Sequence, residues 1–160
     1  MTNYWIFKVK DEIGGLYGRR GYTIFEHRTQ EGFWAIKERS ENGKPEVNLP
    51  LLKQGDHALF YLVHKDGGRF IGNCILDSAY TQLDETQKKL LIHRDFIDSD
   101  QGVFVTAVDK WRKPLPLECL KGKEAFAHRG GKARSHFQGG IKKIGLIEYE
   151  AILHEHKLVF

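Results

Sequence analysis

GDHALFYLVHKDGGRFIGNCIL, which occupies residues 55–76, is the stretch of sequence that decides the fold of this chain. Two apolar runs flank an Asp-Gly-Gly sequence at residues 66–68, a pattern that predicts a β-hairpin whose positive-φ positions are taken by glycine. Side chains alternate between the two faces of a strand, and here both sets are apolar. We therefore expect the hairpin to be covered on both sides, as in the middle of a small barrel or a helix-covered sheet. One set is Ala58, Phe60 and Leu62, and the other is Leu59, Tyr61 and Val63.

The composition is ordinary for a globular protein, with a mild basic excess. The 160 residues carry 25 Lys and Arg against 21 Asp and Glu, a formal net charge of +4. This length predicts a single domain over residues 1–160. We find neither a signal peptide nor an apolar run of the roughly 20 residues that a membrane span needs, so we predict a cytoplasmic location. Cys74 and Cys119 lack metal-type spacing, and Cys74 is expected to be a buried free thiol.

The chain before the hairpin predicts a strand, a short helix and a second short strand. Residues 4–9 form a dense β-type run. Thr23 and Glu26 match a capping box, which predicts a helix over residues 24–30 that Gly32 ends. Residues 33–36 then read as a strand, and residues 50–54 as one helical turn.

After the hairpin, the apolar spacing of Leu83, Leu90 and Leu91 predicts helical turns packed on the barrel. Residues 102–108 predict a strand that the following proline-containing stretch ends, with a brief helical turn at residues 117–120. Residues 121–140 read as a loop, residues 141–144 as a last strand, and the remainder as a C-terminal helix. The predicted fold class is α+β: a small mixed β-barrel of five to six strands with flanking short helices.

Motifs for catalysis or metal binding are missing from the sequence. The His-Glu-His sequence at residues 154–156 lacks the spacing that places two metal ligands on one helix face. There is no Gly-x-Ser-x-Gly elbow. The glycine-rich stretch at residues 14–21 lacks the Lys-Ser/Thr ending of a nucleotide-triphosphate loop, although its Arg19 and Arg20 suit contact with a polyanion. We therefore predict a protein that is not an enzyme and that uses no metal and no cofactor.

A basic segment, residues 121–143, indicates nucleic-acid binding. It contains seven Lys or Arg and one acidic residue, with Phe126 and Phe137 interleaved. Its glycines allow backbone N–H groups to approach an anion closely, and the aromatic side chains can stack on bases. The alternative is a solvated loop whose charge only aids solubility.

Aromatic side chains and one asparagine are the other candidate binding groups. Trp34 and Trp111 are each either core residues or the wall of a pocket for a flat ring, and Trp5 is either core or pocket floor. Asn73 interrupts an apolar strand, so it either bonds locally or binds the polar edge of a ligand.

The order of these features resembles the EVE domain, a PUA-like domain related to YTH and ASCH domains. The resemblance covers most of the chain, and its central part is the most specific. The residues that carry it are YWIF at residues 4–7, Trp34 after a short helix, LxxGDxxxFY at residues 52–61, FIG at residues 70–72, GIKKI at residues 140–144 and EYEAI at residues 148–152.

The resemblance implies a PUA-like barrel with a pocket that takes one modified base, flipped from its strand, between aromatic side chains. Trp34 matches the stacking tryptophan of the family, and residues 5–8 match the pocket edge. YTH domains supply a second aromatic residue before the strand that begins near Gly102, and here Tyr80 or Phe96 would have to take that place. Leu62 stands where EVE proteins commonly carry a serine, and residues 138–141 replace a late Arg-Leu-Ser-Val run. The ligand of the family therefore cannot simply be carried over.

We expect the chain to be a nucleic-acid-binding reader of a flipped, modified base in DNA or RNA, either free-standing or the N-terminal reader of an McrB-type restriction GTPase. The alternatives are an ASCH-like hydrolase acting on RNA or a modified nucleoside, and a protein-interaction module of a restriction assembly. The predicted base pocket consists of Trp34, Trp5, Ile6, Phe7, Asn73, Tyr80, Phe96 and Trp111. The predicted phosphate contacts are Arg19, Arg20, Arg129, Lys132, Arg134 and Lys142.

Overall fold

A mixed, curled sheet dominates the structure, a computed structural model that describes residues 1–12, 18–39, 43–64, 67–94, 99–120, 123 and 141–159. The described residues form seven strands, ordered β2-β6-β4-β3-β1-β7, with β5 paired to β6. β1 and β3 run parallel, and all other neighbours are antiparallel. The strands are β1 (Tyr4–Val9), β2 (Phe33–Ala35), β3 (His57–Leu62), β4 (Arg69–Leu76), β5 (Thr81–Gln82), β6 (Gln101–Pro116) and β7 (Ile141–Ile144).

The helices lie on both faces of this sheet. The described residues contain three α-helices: α1 (Gly21–Glu31), α2 (Glu85–Leu90) and α3 (Leu146–Val159). The 3₁₀ turns at Leu49–Leu51 and Leu117–Leu120 cover further parts of the sheet. No helix within the described ranges is long and apolar enough to cross a membrane.

The central hairpin is covered on both faces, as predicted. Ala58 and Phe60 belong to a first core, which α1 and the Leu49–Leu51 turn cover. Leu59 and Tyr61 belong to a second core, under α3 and the Leu117–Leu120 turn. The hairpin tip is described only from Gly67, whose φ of 109° is the positive value expected of a glycine there. The α+β class and the mixed sheet are thereby confirmed, with one strand more than the predicted upper limit.

Three local predictions are wrong. Helix α1 begins at Gly21, before the predicted capping box, because the Asp11 carboxylate accepts the Gly21 N–H at 2.7 Å. Strand β6 continues through Pro114 to Pro116, where it pairs with Arg69 at the far end of β4. Leu90 is exposed, since α2 is a short surface helix with a capping box between Asp84 and Gln87. The 3₁₀ turn at Leu117–Leu120 and the last strand are confirmed.

Asp56 is a fully buried carboxylate that ties the start of β3 to β1. Its Oδ2 accepts the indole N–H of Trp5 at 2.9 Å, and its Oδ1 accepts the backbone N–H of Asn3 at 3.0 Å. The backbone N–H of Lys53 donates to Oδ2 at 3.2 Å, and the Lys53 ammonium lies 3.1 Å from Oδ1. A buried charge is tolerated only when its lone pairs are satisfied in this way.

Substitution of Asp56→Asn is expected to lower the free energy of unfolding by about 2–3 kcal/mol, because one amide oxygen replaces two acceptors and an NH2 group faces donors. Urea unfolding measures the loss. Asp77→Asn, at an exposed aspartate just after β4, is the matched control and should change stability by less than about 0.5 kcal/mol. If the two substitutions lowered stability equally, Asp56 would not be a residue that holds β1 and β3 together.

The stability that Asp56 supplies should depend on pH. Burial by itself raises the pKa of this carboxyl group, but the hydrogen bonds from Trp5, Asn3 and Lys53 outweigh it and hold the pKa below its ordinary value of 3.8. The stabilisation is therefore complete above the unfolded-state pKa and is lost as the pH falls through the folded-state pKa. Unfolding free energies of the wild type and Asp56→Asn should converge below pH 3.8. A constant difference down to low pH would contradict this.

Candidate functional site

A pocket of about 380 Å³ opens beside the first core. Its floor is formed by Leu49 and Leu52, which are members of that core. Its volume lies in the range of about 300–1,000 Å³ that small-molecule pockets occupy. We call it the Tyr80 pocket, and its lining residues are Glu38, Glu46, Leu49, Pro50, Leu52, Ala79 and Tyr80.

The polar groups of the Tyr80 pocket are two carboxylates and one hydroxyl. The Tyr80 hydroxyl donates to the Ile36 carbonyl oxygen at 2.9 Å. Burial, with the negative charges of Glu38 and Asp100 nearby, raises the pKa of Tyr80, so its hydroxyl remains a donor at neutral pH. Glu38 accepts from the Gln101 amide at 3.0 Å. The arrangement offers an apolar floor, one aromatic ring and hydrogen-bond acceptors at the rim, which suits a flat polar ring.

The C-terminal end of the basic segment lies beside the Tyr80 pocket. The Asn48 side chain donates to the Ile141 carbonyl oxygen at 3.1 Å, and the Ile141 N–H donates to Glu46 at 3.4 Å. Because Glu46 also lines the pocket, β7 starts directly beside it. The Lys, Arg and Phe residues at 124–140 lie outside the described residues, but the chain leaves that stretch next to the pocket.

Trp34 lies in the first core, the same cluster as Leu49 and Leu52 of the pocket floor, and is only 2 % exposed. Its ring stacks on Phe7, with centroids 6.1 Å apart, and packs against Phe60 at 4.7 Å. The guanidinium carbon of Arg28 lies 4.9 Å from the ring centroid, a cation–π contact. The strand that carries Trp34 approaches β6 so closely that residue 102 must be glycine, since a Cβ at Gly102 would lie 2.1 Å from the Trp34 carbonyl oxygen.

Comparison with solved structures gives strong matches at low sequence identity. The human THYN1 protein in complex with 5-methylcytosine-containing DNA is 17% identical, with 98% of each chain covered and a TM-score of 0.63. The DUF55 domain of human thymocyte nuclear protein 1 is 20% identical, covering 97% of this chain and 99% of that one, with a TM-score of 0.62. A hypothetical protein from Leishmania major is 16% identical, with 99% and 97% covered and a TM-score of 0.61.

The fold of this chain is that of the DUF55 domain of human thymocyte nuclear protein 1. The fold implied by the sequence resemblance is thereby confirmed. No protein-family model matches the sequence, and no curated protein matches it. At these identities the comparison establishes the fold alone, and the function has to be argued from the site.

The sheet divides the predicted base-pocket residues between its two faces. Trp5, Phe7 and Trp34 lie in the first core, and Tyr80 packs against it. Ile6 and Trp111 lie in the second core. Asn73 is on that second side too, because its side-chain oxygen accepts the Trp111 indole N–H at 3.0 Å. Asn73 and Trp34, which the sequence predicts in one base pocket, therefore lie on opposite sides of the sheet, because strand alternation points Asn73 away from the first core.

The predicted phosphate contacts have different surroundings. The Arg19 guanidinium is largely buried between Glu12, at 2.9 Å, and the His27 ring, at 3.1 Å. Arg20 is 81 % exposed and pairs with Asp11 at 3.1 Å. Lys142 is half-buried on β7, close to the pocket end of that strand. Phe96, Arg129, Lys132 and Arg134 lie outside the described residues.

Two stacked imidazoles lie next to the Arg19 side chain. The rings of His27 and His93 have centroids 3.9 Å apart. Burial, then the neighbouring His93 and Arg19, lowers the pKa of His27. In the part of the chain that the structure describes, no group of three or more His, Cys, Asp or Glu could hold a metal ion.

Sequence reasoning missed most of the Tyr80 pocket. Of the lining residues, only Tyr80 is among the predicted base-pocket residues, and the sequence predicts no role in a site for Glu38, Glu46 and Leu49. Their contribution depends on residues 43–52 folding back beside β7, a contact about 93 positions apart along the chain. No local sequence pattern indicates this contact. The two prolines of the segment indicate only that its backbone is rigid.

Trp34→Ala is expected to lower the free energy of unfolding by about 3–5 kcal/mol, because it empties a volume filled against Phe7 and Phe60. Trp34→Phe keeps an aromatic ring there and should cost less than half as much. Denaturant unfolding compares the two. A loss below about 1 kcal/mol in the alanine variant would show that the ring is not packed as described.

Proposed function

We propose that this chain is a non-enzymatic reader module that binds DNA carrying a modified base and takes that base into the Tyr80 pocket. The observation that carries the proposal is the position of the pocket, directly beside the end of the basic segment. The similar structure of human THYN1 in complex with 5-methylcytosine-containing DNA supports DNA as the partner of this fold.

The base would enter with its ring against Tyr80 and its apolar substituents toward Leu49 and Leu52. Exocyclic N–H groups would meet the carboxylates of Glu38 and Glu46, which are good acceptors for base amines. Extruding a base from a duplex costs a few kcal/mol, and stacking returns about 1–3 kcal/mol per base. The hydrogen bonds at the rim of the pocket must supply the remaining free energy.

Trp34 would join this site if Arg28 moved away from its ring. The guanidinium occupies a position over the indole where a base could stack, and Trp34 belongs to the same core cluster as Leu49 and Leu52 of the pocket floor. Trp5 and Phe7 support Trp34 from within the first core. Ile6, Asn73 and Trp111 do not belong to the proposed pocket, because they lie on the opposite side of the sheet.

The basic segment would hold the phosphate backbone while the base is in the pocket. Arg129, Lys132 and Arg134 supply its charge, and Lys142 continues it onto β7. Arg20 is a further candidate because its side chain is exposed. Arg19 is less suited to phosphate, since its guanidinium already pairs with Glu12.

A binding screen tests the proposal: the wild-type chain against matched oligonucleotides, DNA and RNA, single- and double-stranded, with and without base modifications. We expect a preference for one modified DNA base. Ala79→Phe, which places a ring into the pocket from an exposed position, should lower that preference about tenfold or more, since stacking and capture are blocked.

Thr86→Phe is the matched control, because Thr86 is exposed on α2 and does not line the pocket. It should leave binding unchanged. If Ala79→Phe still discriminates between modified and unmodified DNA, the Tyr80 pocket is not the base site. If the wild type shows no preference for any modified base, the reader function is wrong.

The basic segment should set the salt dependence of binding. Each phosphate contact contributes a slope of about −0.9 to a plot of log K against log salt for duplex DNA. Charge reversal of Arg129 and Lys132 to Glu should therefore make the slope shallower by about two such contacts. Lys110→Glu with Arg112→Glu, on exposed positions of β6, is the control pair. If both pairs of substitutions changed the slope equally, the basic segment would not be the specific contact surface for phosphate.

A further inference from the structure

The segment that supports the Tyr80 pocket exposes apolar side chains to solvent. Val47 is 77 % exposed and Leu51 is 49 % exposed. Between and beside them, Leu49 and Leu52 point inward and are buried in the first core. Exposed apolar groups on a segment that lines a pocket are more often part of a binding surface than singly scattered exposed residues are.

This exposed pair stands on a rigid support. The Leu51 N–H donates to the Asn48 carbonyl oxygen at 3.0 Å, which closes the 3₁₀ turn. The Asn48 side chain in turn donates to Ile141 on β7 at 3.1 Å. With Leu49 and Leu52 anchored in the core, the backbone that carries Val47 and Leu51 is fixed in advance, so little backbone conformational entropy is lost when they meet a partner.

The pair lies on the segment that joins two parts of the proposed DNA site. Within that segment, Glu46, Leu49 and Pro50 line the Tyr80 pocket. Glu46 and Asn48 also hold the start of β7, where the basic segment ends. A duplex whose phosphates follow the basic segment, and whose base enters the pocket, would bring its base stack onto Val47 and Leu51.

We propose that Val47 and Leu51 form an apolar wedge that enters the gap left in the DNA stack when a base moves into the Tyr80 pocket. The partner is the base-pair stack of duplex DNA, and the inference rests on the proposed function. Charge favours this partner, because the segment 121–143 that ends beside the wedge carries seven basic residues and one acidic residue. Apolar side chains inserted at a base step offset the cost of unstacking it.

The wedge should matter only where a stack has to be opened. A single strand or a base opposite an abasic site has no paired stack to restore, so its binding depends on the pocket and the basic segment alone. Loss of the wedge therefore has a signature that loss of the pocket lacks: weaker binding of the paired modified duplex, with unchanged binding of the unpaired modified base.

The test uses the double variant Val47→Ser with Leu51→Ser. Its matched control is Leu146→Ser with Ile147→Ser on α3, where the exposures are 46 % and 74 %. Three probes carry the modified base that the wild type prefers: a paired duplex, the same duplex with an abasic site opposite the base, and the single strand. 2-Aminopurine beside the modified base reports unstacking by its fluorescence.

We expect the wedge variant to bind the paired duplex about tenfold more weakly and the other two probes within about twofold of the wild type, with a smaller rise in 2-aminopurine fluorescence. The α3 control should match the wild type on all three probes. Thermal unfolding of both variants checks that the fold is retained.

Each other outcome overturns the inference in a distinct way. If the wedge variant binds the paired duplex as well as the wild type does, Val47 and Leu51 do not act as a wedge, and the proposed reader function is unaffected. Equal weakening on all three probes shows that Val47 and Leu51 contact DNA in general, or form part of the pocket, and do not open the stack. A wild type without preference for any modified base removes the proposed function and the wedge together.

Discussion

The rest of the structure depends on the buried carboxylate of Asp56. It joins the indole of Trp5 in β1 to the backbone that leads into β3, and so fixes the parallel pair at the centre of the sheet. Burial raises the cost of the charge, and four donors together offset that cost. With this register fixed, Trp5, Phe7 and Phe60 face one side, and the first core, which carries the floor of the Tyr80 pocket, can form there.

The two faces of the sheet consequently have separate tasks. The first face carries Trp34 and the pocket, with polar groups at the rim that meet solvent. The second face is closed by α3, and its polar groups bond to one another: Asn73 accepts from Trp111, whose ring stacks on His156 at 3.9 Å. An asparagine in a strand can therefore be explained by packing alone, because a buried amide needs a partner and Trp111 supplies one.

The sequence predicted those parts of the fold whose causes are local. The doubly apolar hairpin, the first and last strands and the stop at Gly32 follow from alternation and glycine chemistry within a few residues. The start of α1 was wrong because its cap comes from Asp11, and the end of β6 was wrong because pairing with β4 outweighs the proline signal. The pocket was mostly missed for the same reason: Glu46 and Asn48 meet Ile141 only after the sheet is assembled.

One short segment, residues 46–52, links the core, the pocket and the basic segment. Leu49 and Leu52 pack into the first core, so stability selects their apolar character. Glu46 and Pro50 line the pocket, while Asn48 holds β7. Val47 and Leu51 meet none of these requirements. Their exposed apolar surface is unfavourable in water, whereas a polar side chain at the same position would be well solvated. The fold therefore does not explain why Val47 and Leu51 are apolar, and the proposed contact with the DNA stack does.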